Sequence, residues 1–252
     1  MNYDDRRRTE PTHGWDSWKG GQSGYSAGAI ARPARQALVS DALWATYRWM
    51  AAGLGLTGLV ALLVASSPAA LEIILGNQIV FFGLIIAQLA LVFSFNHAAV
   101  RASTGAVAAM FFAYAALTGA TMSVIFLVYT AASIASVFFV TAGAFAGLSV
   151  VGLVTKRDLS PIGRFAIFAL IGLIIAMVVN IFLASSGLGF LISIVGVLLF
   201  AGLTAYDTQK LKNIFASGEV HANMPLVGAL MLYLDFINMF LFLLRLFGRR
   251  RD

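Results

Sequence analysis

Two aspartates stand out because each lies within or beside a strongly apolar segment. Asp235 is in the middle of "LMLYLDFINMF" (230–240), and Asp207 is in "AYDTQKLK" (205–212). A carboxylate in hydrocarbon costs on the order of 3 kcal/mol on insertion scales, so it is tolerated mainly where it faces the protein interior or water. Two such carboxylates close together tend to share one proton, which makes a pH-sensitive site. Their oxygens also suit a hard cation such as Ca²⁺.

The spacing of the two aspartates allows them to meet. Asp207 lies eight residues before Phe215, the predicted end of its helix, and Asp235 lies ten residues after Pro225, the predicted start of the next. Consecutive helices joined by a short connection run antiparallel. With a rise of about 1.5 Å per residue, the two carboxylates are predicted to lie roughly 3 Å apart along the membrane normal.

Other polar residues are candidates for supporting this pair. Thr204 lies one turn before Asp207, and Asn238 lies one turn after Asp235, so both can offer hydrogen bonds on the same faces. Asn180, inside an apolar segment, either supports the same site or joins two helices by a hydrogen bond.

Plainer interpretations remain open for the charged residues. Asp207 could be an interfacial residue paired with Lys210 or Lys212, and Asp235 could only tie down a neighbouring helix. Arg101 either marks a cytoplasmic loop or acts as a counter-cation that holds the acid pair in one conformation.

The composition places these residues in a membrane. Hydrophobic residues make up 60% of the 252 residues and charged residues 11%, far below the roughly 25% charged of soluble domains. A bilayer-spanning helix needs about 20 apolar residues. The chain offers seven such spans, and we predict an all-α bundle with spans at 44–65, 78–97, 104–128, 131–154, 163–184, 188–208 and 225–247.

Smaller signals describe the packing within these spans. Gly143 and Gly147 are four residues apart in the fourth span, which predicts close helix packing there. Gln88, in the second span, is interpreted as a helix-to-helix hydrogen-bonder, and His97 as a loop residue.

The chain is predicted to have two parts, a tail at 1–40 and a membrane domain at 41–252. The tail is polar, rich in glycine and arginine, and predicted to be disordered. Lys and Arg concentrate in the tail and in alternate loops, which puts the N-terminus in the cytoplasm. The basic C-terminal end 249–252 breaks this alternation, so the last segment either spans or enters without crossing; its length favours spanning.

Several function classes find no support in the sequence. The chain has no cysteine, which excludes disulfides and thiolate chemistry, and no nucleophile lies beside a histidine. No phosphate-binding glycine loop or HExxH motif is present, so we expect neither an enzyme nor a cofactor. The net charge of +6 is attributed to loop orientation and anionic lipid, and no nucleic-acid partner is expected.

The chain resembles the Bax inhibitor-1 family, specifically its bacterial branch. The most specific matching segments are "AYDTQKLK" (205–212) and "LYLDFINMFLFLLRLFG" (232–248), supported by "YRWMAAGLGLTGLVA" (47–61), "TGATMS" (118–123) and "NIF" (180–182). The resemblance implies seven helices with the C-terminal one central and wrapped by the other six. It also implies a multi-pass protein of the bacterial inner membrane.

The resemblance further implies a pH-sensitive Ca²⁺ leak governed by Asp207 and Asp235, with protons and Ca²⁺ as its partners. By position, Arg101 would be the basic residue that pairs with Asp207 when the pore is closed. A non-transporting regulator that binds a membrane protease or other quality-control machinery is the alternative. A proton-coupled transporter would show inverted repeats, and no repeat is found.

Overall fold

The computed structural model describes residues 32–218 and 221–251, with the side chains of residues 32–34 left out. Those residues form an all-α bundle. Its helices are α1 (Arg32–Ala65), α2 (Pro68–Leu75), α3 (Gln78–Arg101), α4 (Thr104–Met122), α5 (Ile125–Val128), α6 (Ala131–Val154), α7 (Ser160–Leu183), α8 (Ser186–Ser217) and α9 (Met224–Phe247).

Seven helical segments are long and apolar enough to cross a bilayer, as the sequence predicts. They are α1, α3, the segment formed by α4 and α5, α6, α7, α8 and α9. Several extend beyond the predicted bounds, because polar ends such as that of α8 remain helical outside the apolar stretch. His97, expected in a loop, is an exposed residue of α3.

Two features at the start of the chain differ from the sequence prediction. Helix α1 begins at Arg32, so residues 32–40 of the predicted tail are helical, and residues 1–31 of that tail lie outside the described residues. The connection after α1 contains the short helix α2, which the sequence analysis missed. Ser67 caps α2 by accepting a hydrogen bond from the Ala70 N–H, and Pro68 occupies its first turn, where a missing N–H costs little.

Helix α9 is the centre of the bundle. In its most apolar stretch 72% of the residues are buried, against 6% in α3 and 11% in α7. Helices α1, α3, α4, α6 and α8 contact α9, while α7 packs mainly on α8. This position lets Asp235 of α9 face protein instead of lipid, and it agrees with the central C-terminal helix that the family resemblance implies.

Side-chain contacts show which loops share an end of the bundle. Asn223 contacts the last turn of α3, and Gln209 near the end of α8 bonds the loop before α7. Thr46, in the first half of α1, lies against Gly228 near the start of α9. The bundle end at Gly218, which we call the Gly218 end, therefore contains the loops whose Lys and Arg residues led to the prediction of a cytoplasmic N-terminus.

The C-terminal residues lie at the other end of the bundle, which we call the Thr130 end. The Thr130 N–H donates to the Arg249 carbonyl at 3.0 Å, and the Arg251 N–H donates to the Val128 carbonyl at 2.9 Å. Helix α9 thus runs the length of the bundle, as the spanning alternative predicts. Its basic end is strapped across the joint between α5 and α6.

The predicted role of Gly143 and Gly147 in helix packing is wrong. A Cβ at either position would meet no atom within 4 Å, because both face away from the bundle. The close approach in α6 occurs instead at Gly152, where a Cβ would overlap the backbone carbonyl oxygen of Ala205 in α8. The absence of a side chain at Gly152 lets the two backbones touch.

Candidate functional site

The two aspartates meet inside the bundle. Asp207 lies ten residues before Ser217, the end of α8, and Asp235 lies eleven residues after Met224, the start of α9. Their side chains are 8% and 4% exposed, and the two carboxyl groups are within hydrogen-bonding reach of each other. The structure therefore brings together the pair that the sequence analysis selected.

This contact has a chemical requirement. Ionised carboxylates are acceptors only, so a hydrogen bond between Asp207 and Asp235 needs a proton on one of them. The Oδ2 atom of Asp235 is fully buried and has no hydrogen-bond partner among the described residues. The arrangement can hold one proton between two oxygens and release it. The same contact ties α9 to α8, which is the structural role that the sequence left open for Asp235.

The lysines near Asp207 do not neutralise it by direct pairing. The Lys210 ammonium lies 5.8 Å from the centre of the Tyr206 ring and acts on Asp207 only as a nearby positive charge. The Lys212 ammonium donates to the Leu153 carbonyl of α6. The interpretation of Asp207 as one half of an interfacial ion pair therefore finds no support in this conformation of the described residues.

Arg101 is distant from the acid pair. It ends α3 and is exposed at the Gly218 end. The neighbouring Ala99 and Ala102 are held by Asn223, and Asp235 lies twelve residues further along α9, about 18 Å deeper. The predicted pairing of Arg101 with Asp207 is therefore absent from this conformation.

The predicted supporting residues act elsewhere. The Thr204 hydroxyl donates to the Phe200 carbonyl at 2.7 Å, and the Asn238 amide donates to the Leu234 carbonyl at 2.8 Å, each within its own helix. Neither hydrogen bond reaches the acid pair.

Asn180 stabilises the turn between α7 and α8. Its Oδ1 accepts a hydrogen bond from the Ser185 N–H at 3.1 Å. Ser185 precedes Asp207 by 22 residues of the chain, which is about 33 Å along α8. Support of the acid pair by Asn180 is therefore a wrong prediction.

A polar network on the other side of α9 was missed. Gln88 does join helices, as predicted, since its amide donates to the Thr121 hydroxyl of α4 at 3.3 Å. The Thr57 hydroxyl donates to the Ala115 carbonyl at 2.9 Å, and the Tyr233 hydroxyl lies 2.6 Å from the Thr57 oxygen. Because the single Thr57 proton is committed to that carbonyl, Tyr233 must be the donor to Thr57.

Residues two positions apart on a helix point about 200° apart. Tyr233 and Asp235 therefore anchor opposite sides of α9, to α1 and to α8 respectively. The motif "LYLDF" contains both residues. The 3.6-residue helical period could have predicted that Tyr233 and Asp235 lie on opposite faces of one helix. The helix that each face contacts, however, depends on the tertiary arrangement.

Replacing Tyr233 by phenylalanine is expected to lower the free energy of unfolding by about 1 kcal/mol, because one buried hydroxyl-to-hydroxyl bond is lost. The check is the midpoint of thermal unfolding in detergent, monitored by circular dichroism. Tyr206→Phe is the control, since no hydrogen bond is seen for its hydroxyl in the described residues. Equal midpoints for the two variants would contradict the expected role of Tyr233.

Comparisons with known proteins establish the relationship of the chain. The model of the family described as "Inhibitor of apoptosis-promoting Bax1" matches residues 39–252. The chain belongs to the Bax inhibitor-1 family. This agrees with the resemblance carried by the segments around Asp207 and Asp235, and the match extends over every span of the bundle.

The bacterial relatives in the Bax inhibitor-1 family cover most of the chain. "Inner membrane protein YbhL" of Escherichia coli is 50% identical over 210 residues, which is 81% of this chain and 90% of the relative. An uncharacterized protein of Deinococcus radiodurans is 50% identical over 212 residues, 82% of this chain and 89% of the relative. One of Borreliella burgdorferi is 44% identical over 207 residues, 81% and 89%. The chain is thus a membrane protein of this family.

Proposed function

We propose that the protein is a pH-sensitive Ca²⁺ leak channel in which Asp207 and Asp235 form the proton-sharing gate. The observation that supports this is the contact of two buried carboxyl groups on consecutive spanning helices, 8% and 4% exposed. The proposed location is a bacterial inner membrane with the Gly218 end and the N-terminus in the cytoplasm. The proposed role is passive conduction and involves no catalysis.

The sign of the pH response follows from the contact. With one proton, the pair is joined by a hydrogen bond, and α8 and α9 stay together, which is the closed conformation in this proposal. When the proton leaves, two unit charges about 4 Å apart repel by about 4 kcal/mol at an effective dielectric of 20. That energy shifts an equilibrium about a thousandfold. The flux of Ca²⁺ is therefore expected to rise with pH.

The ligands that the acid pair offers suit the passage of Ca²⁺ better than its tight binding. Ca²⁺ in a tight site takes six to eight oxygen ligands, whereas the acid pair supplies two carboxylates. No group of three or more acidic or histidine side chains able to hold a metal is found in the described part of the chain. Entry is driven by the membrane potential, which supplies about 2.3 kcal/mol per unit charge per 100 mV.

The test is Ca²⁺ flux into liposomes that contain the purified protein and a trapped Ca²⁺ dye, measured from pH 6 to 8. The wild type is expected to conduct more at pH 8 than at pH 6. Asp207→Asn and Asp235→Asn each keep a hydrogen-bonding group without a charge. Both variants are therefore expected to give low flux at every pH.

The matched control is Asp158→Asn, which removes an exposed carboxylate from the loop before α7. Hydrogen bonds from the Ser160 hydroxyl and backbone N–H hold the pKa of Asp158 below its usual range. Asp158 therefore stays ionised from pH 6 to 8, and its loss is expected to leave the pH profile unchanged. A pH profile that either pair variant leaves intact would reject the gate.

The alternative is a regulator that binds a membrane protease and transports nothing. Its expected signature is the absence of Ca²⁺ flux at every pH for a folded wild-type protein, together with retention of a membrane protease after mild solubilisation. Deleting residues 1–31, which precede the first described helix, would then release the protease if that basic segment is the binding element.

A further inference from the structure

A cleft of about 670 Å³ opens on the side of the bundle between α1 and α6. Residues 43–54 of α1 form one wall, and residues 138–153 of α6 form the other. Both helices pack on α9, but over the described ranges they barely contact each other. The cleft is therefore a gap between two spans, and its floor includes Phe236 of the central helix.

The cleft continues along the bundle towards the Thr130 end. Two further cavities, of about 520 and 310 Å³, share Leu54 and Phe138 with it. The lining is almost wholly apolar. Because these walls lie at membrane depth and face sideways, hydrocarbon rather than water is the solvent that meets them.

The end of the cleft nearer the Gly218 end is different, because polar groups collect there. The Tyr47 hydroxyl is buried and has no hydrogen-bond partner in the described ranges. Arg48, next along α1, lines the same end and is exposed. Lys212 binds the backbone carbonyl of Leu153, another lining residue. Because the Tyr47 hydroxyl is closed off from the cleft, the exposed Arg48 is the group at this end that an anionic ligand can meet.

We propose that this cleft binds one glycerophospholipid with an anionic headgroup. Its acyl chain lies along the apolar gap, and its phosphate lies beside Arg48, whose guanidinium donates to a phosphate oxygen. From Arg48 to Leu59, which lines one of the adjoining cavities, α1 rises by eleven residues, about 17 Å, which matches one leaflet of a hydrocarbon core about 30 Å thick. This site goes beyond the proposed leak and does not depend on it.

Charge argues for lipid over a second copy of the chain. A two-fold contact through this face would place the same surface on both partners, and would bring the two Arg48 side chains together. A bilayer that contains anionic lipid supplies instead the negative charge that juxtamembrane bases attract.

The test is native mass spectrometry of the full chain, delipidated in detergent and then given phosphatidylglycerol or phosphatidylcholine with the same acyl chains. One phosphatidylglycerol is expected to stay bound, in preference to phosphatidylcholine. Arg48→Gln is expected to weaken its binding about fivefold, the equivalent of about one lost interaction of a base with anionic lipid. Arg157→Gln, which removes an exposed base at the same end of the bundle, is the charge control.

Two tryptophan variants test where the lipid binds. Ala146→Trp puts a large side chain into the cleft and is expected to abolish binding, whereas Ala144→Trp, on an exposed face of α6 outside the cleft lining, is expected to preserve it. Both positions are exposed, so both variants should fold, which the thermal midpoint checks. Equal retention of the two lipids, or equal binding by the two tryptophan variants, would overturn the proposal. A dimer that Ala146→Trp dissociates would assign the cleft to a second copy instead.

Discussion

Replacing Gly152 by alanine is expected to destabilise the bundle by about 1–3 kcal/mol, the usual range for overpacking. In an exposed helix the same change stabilises by about 1 kcal/mol, because alanine is the better helix former. At Gly152 the new Cβ would overlap the Ala205 carbonyl oxygen and crowd the Thr208 side chain. A backbone carbonyl cannot rotate away, so α6 and α8 must separate.

Gly147→Ala is the matched control for this prediction. It lies in the same helix, and its Cβ would meet nothing within 4 Å. The measurement is the thermal midpoint of each variant in detergent, with the expectation that Gly147→Ala equals or exceeds the wild type and Gly152→Ala falls below it. If both midpoints rise, helix propensity, and not the backbone contact with α8, determines the stability of Gly152→Ala.

The Gly152 contact also bears on the acid pair. Ala205 and Thr208, which Gly152 touches, stand on either side of Asp207 in α8. Thr208 also lies 3.5 Å from the Ser149 hydroxyl of α6. The position of Asp207 relative to Asp235 therefore depends on how closely α6 approaches α8.

The number of spans and the common depth of the two aspartates could be predicted because both depend on one-dimensional quantities. The need for about 20 apolar residues per crossing fixes the spans. A fixed rise per residue and antiparallel helices fix the depth. With the observed helix ends, ten and eleven residues separate Asp207 and Asp235 from the shared connection, so the predicted coincidence of depth holds.

The side of each helix that faces its neighbours could not be predicted, because it depends on rotation about the helix axis. Thr204 and Asn238 have the spacing of supporting residues, but each satisfies its own helix. Gly143 and Gly147 have the spacing of a packing motif, yet they face away from the bundle, and Gly152 makes the contact. In a chain with so many apolar residues, hydrophobic periodicity does not distinguish a lipid-facing side from a helix-facing one.

The misplacement of Asn180 had a different cause. It lies four residues from the predicted end of the fifth span, whereas Asp207 lies at the predicted end of the sixth. Antiparallel neighbours place those two ends on opposite sides of the membrane, so the same depth argument that paired the aspartates separates Asn180 from them.

Replacing Asn223 is expected to have the other large effect on stability, since this buried residue ties the start of α9 to the end of α3. Its Nδ2 donates to the carbonyls of Ala99 and Ala102, each at 3.0 Å. Asn223→Ala removes both hydrogen bonds and is expected to lower the free energy of unfolding by about 1–3 kcal/mol. The control is Asn213→Ala, which truncates an exposed asparagine near the end of α8.

A third variant separates this role from ordinary helix capping. Asn223 precedes α9 but makes no side-chain capping bond. If it acted as a cap, aspartate would serve as well as asparagine. If Asn223 instead links α9 to α3, Asn223→Asp replaces an amide that donates two hydrogen bonds by an acceptor that faces two carbonyl oxygens. This variant is therefore expected to destabilise the protein more than Asn223→Ala. Thermal midpoints in the order wild type, alanine, aspartate are expected at pH 8. Retention of stability by the aspartate variant would mean that capping, and not the link to α3, holds the start of the central helix.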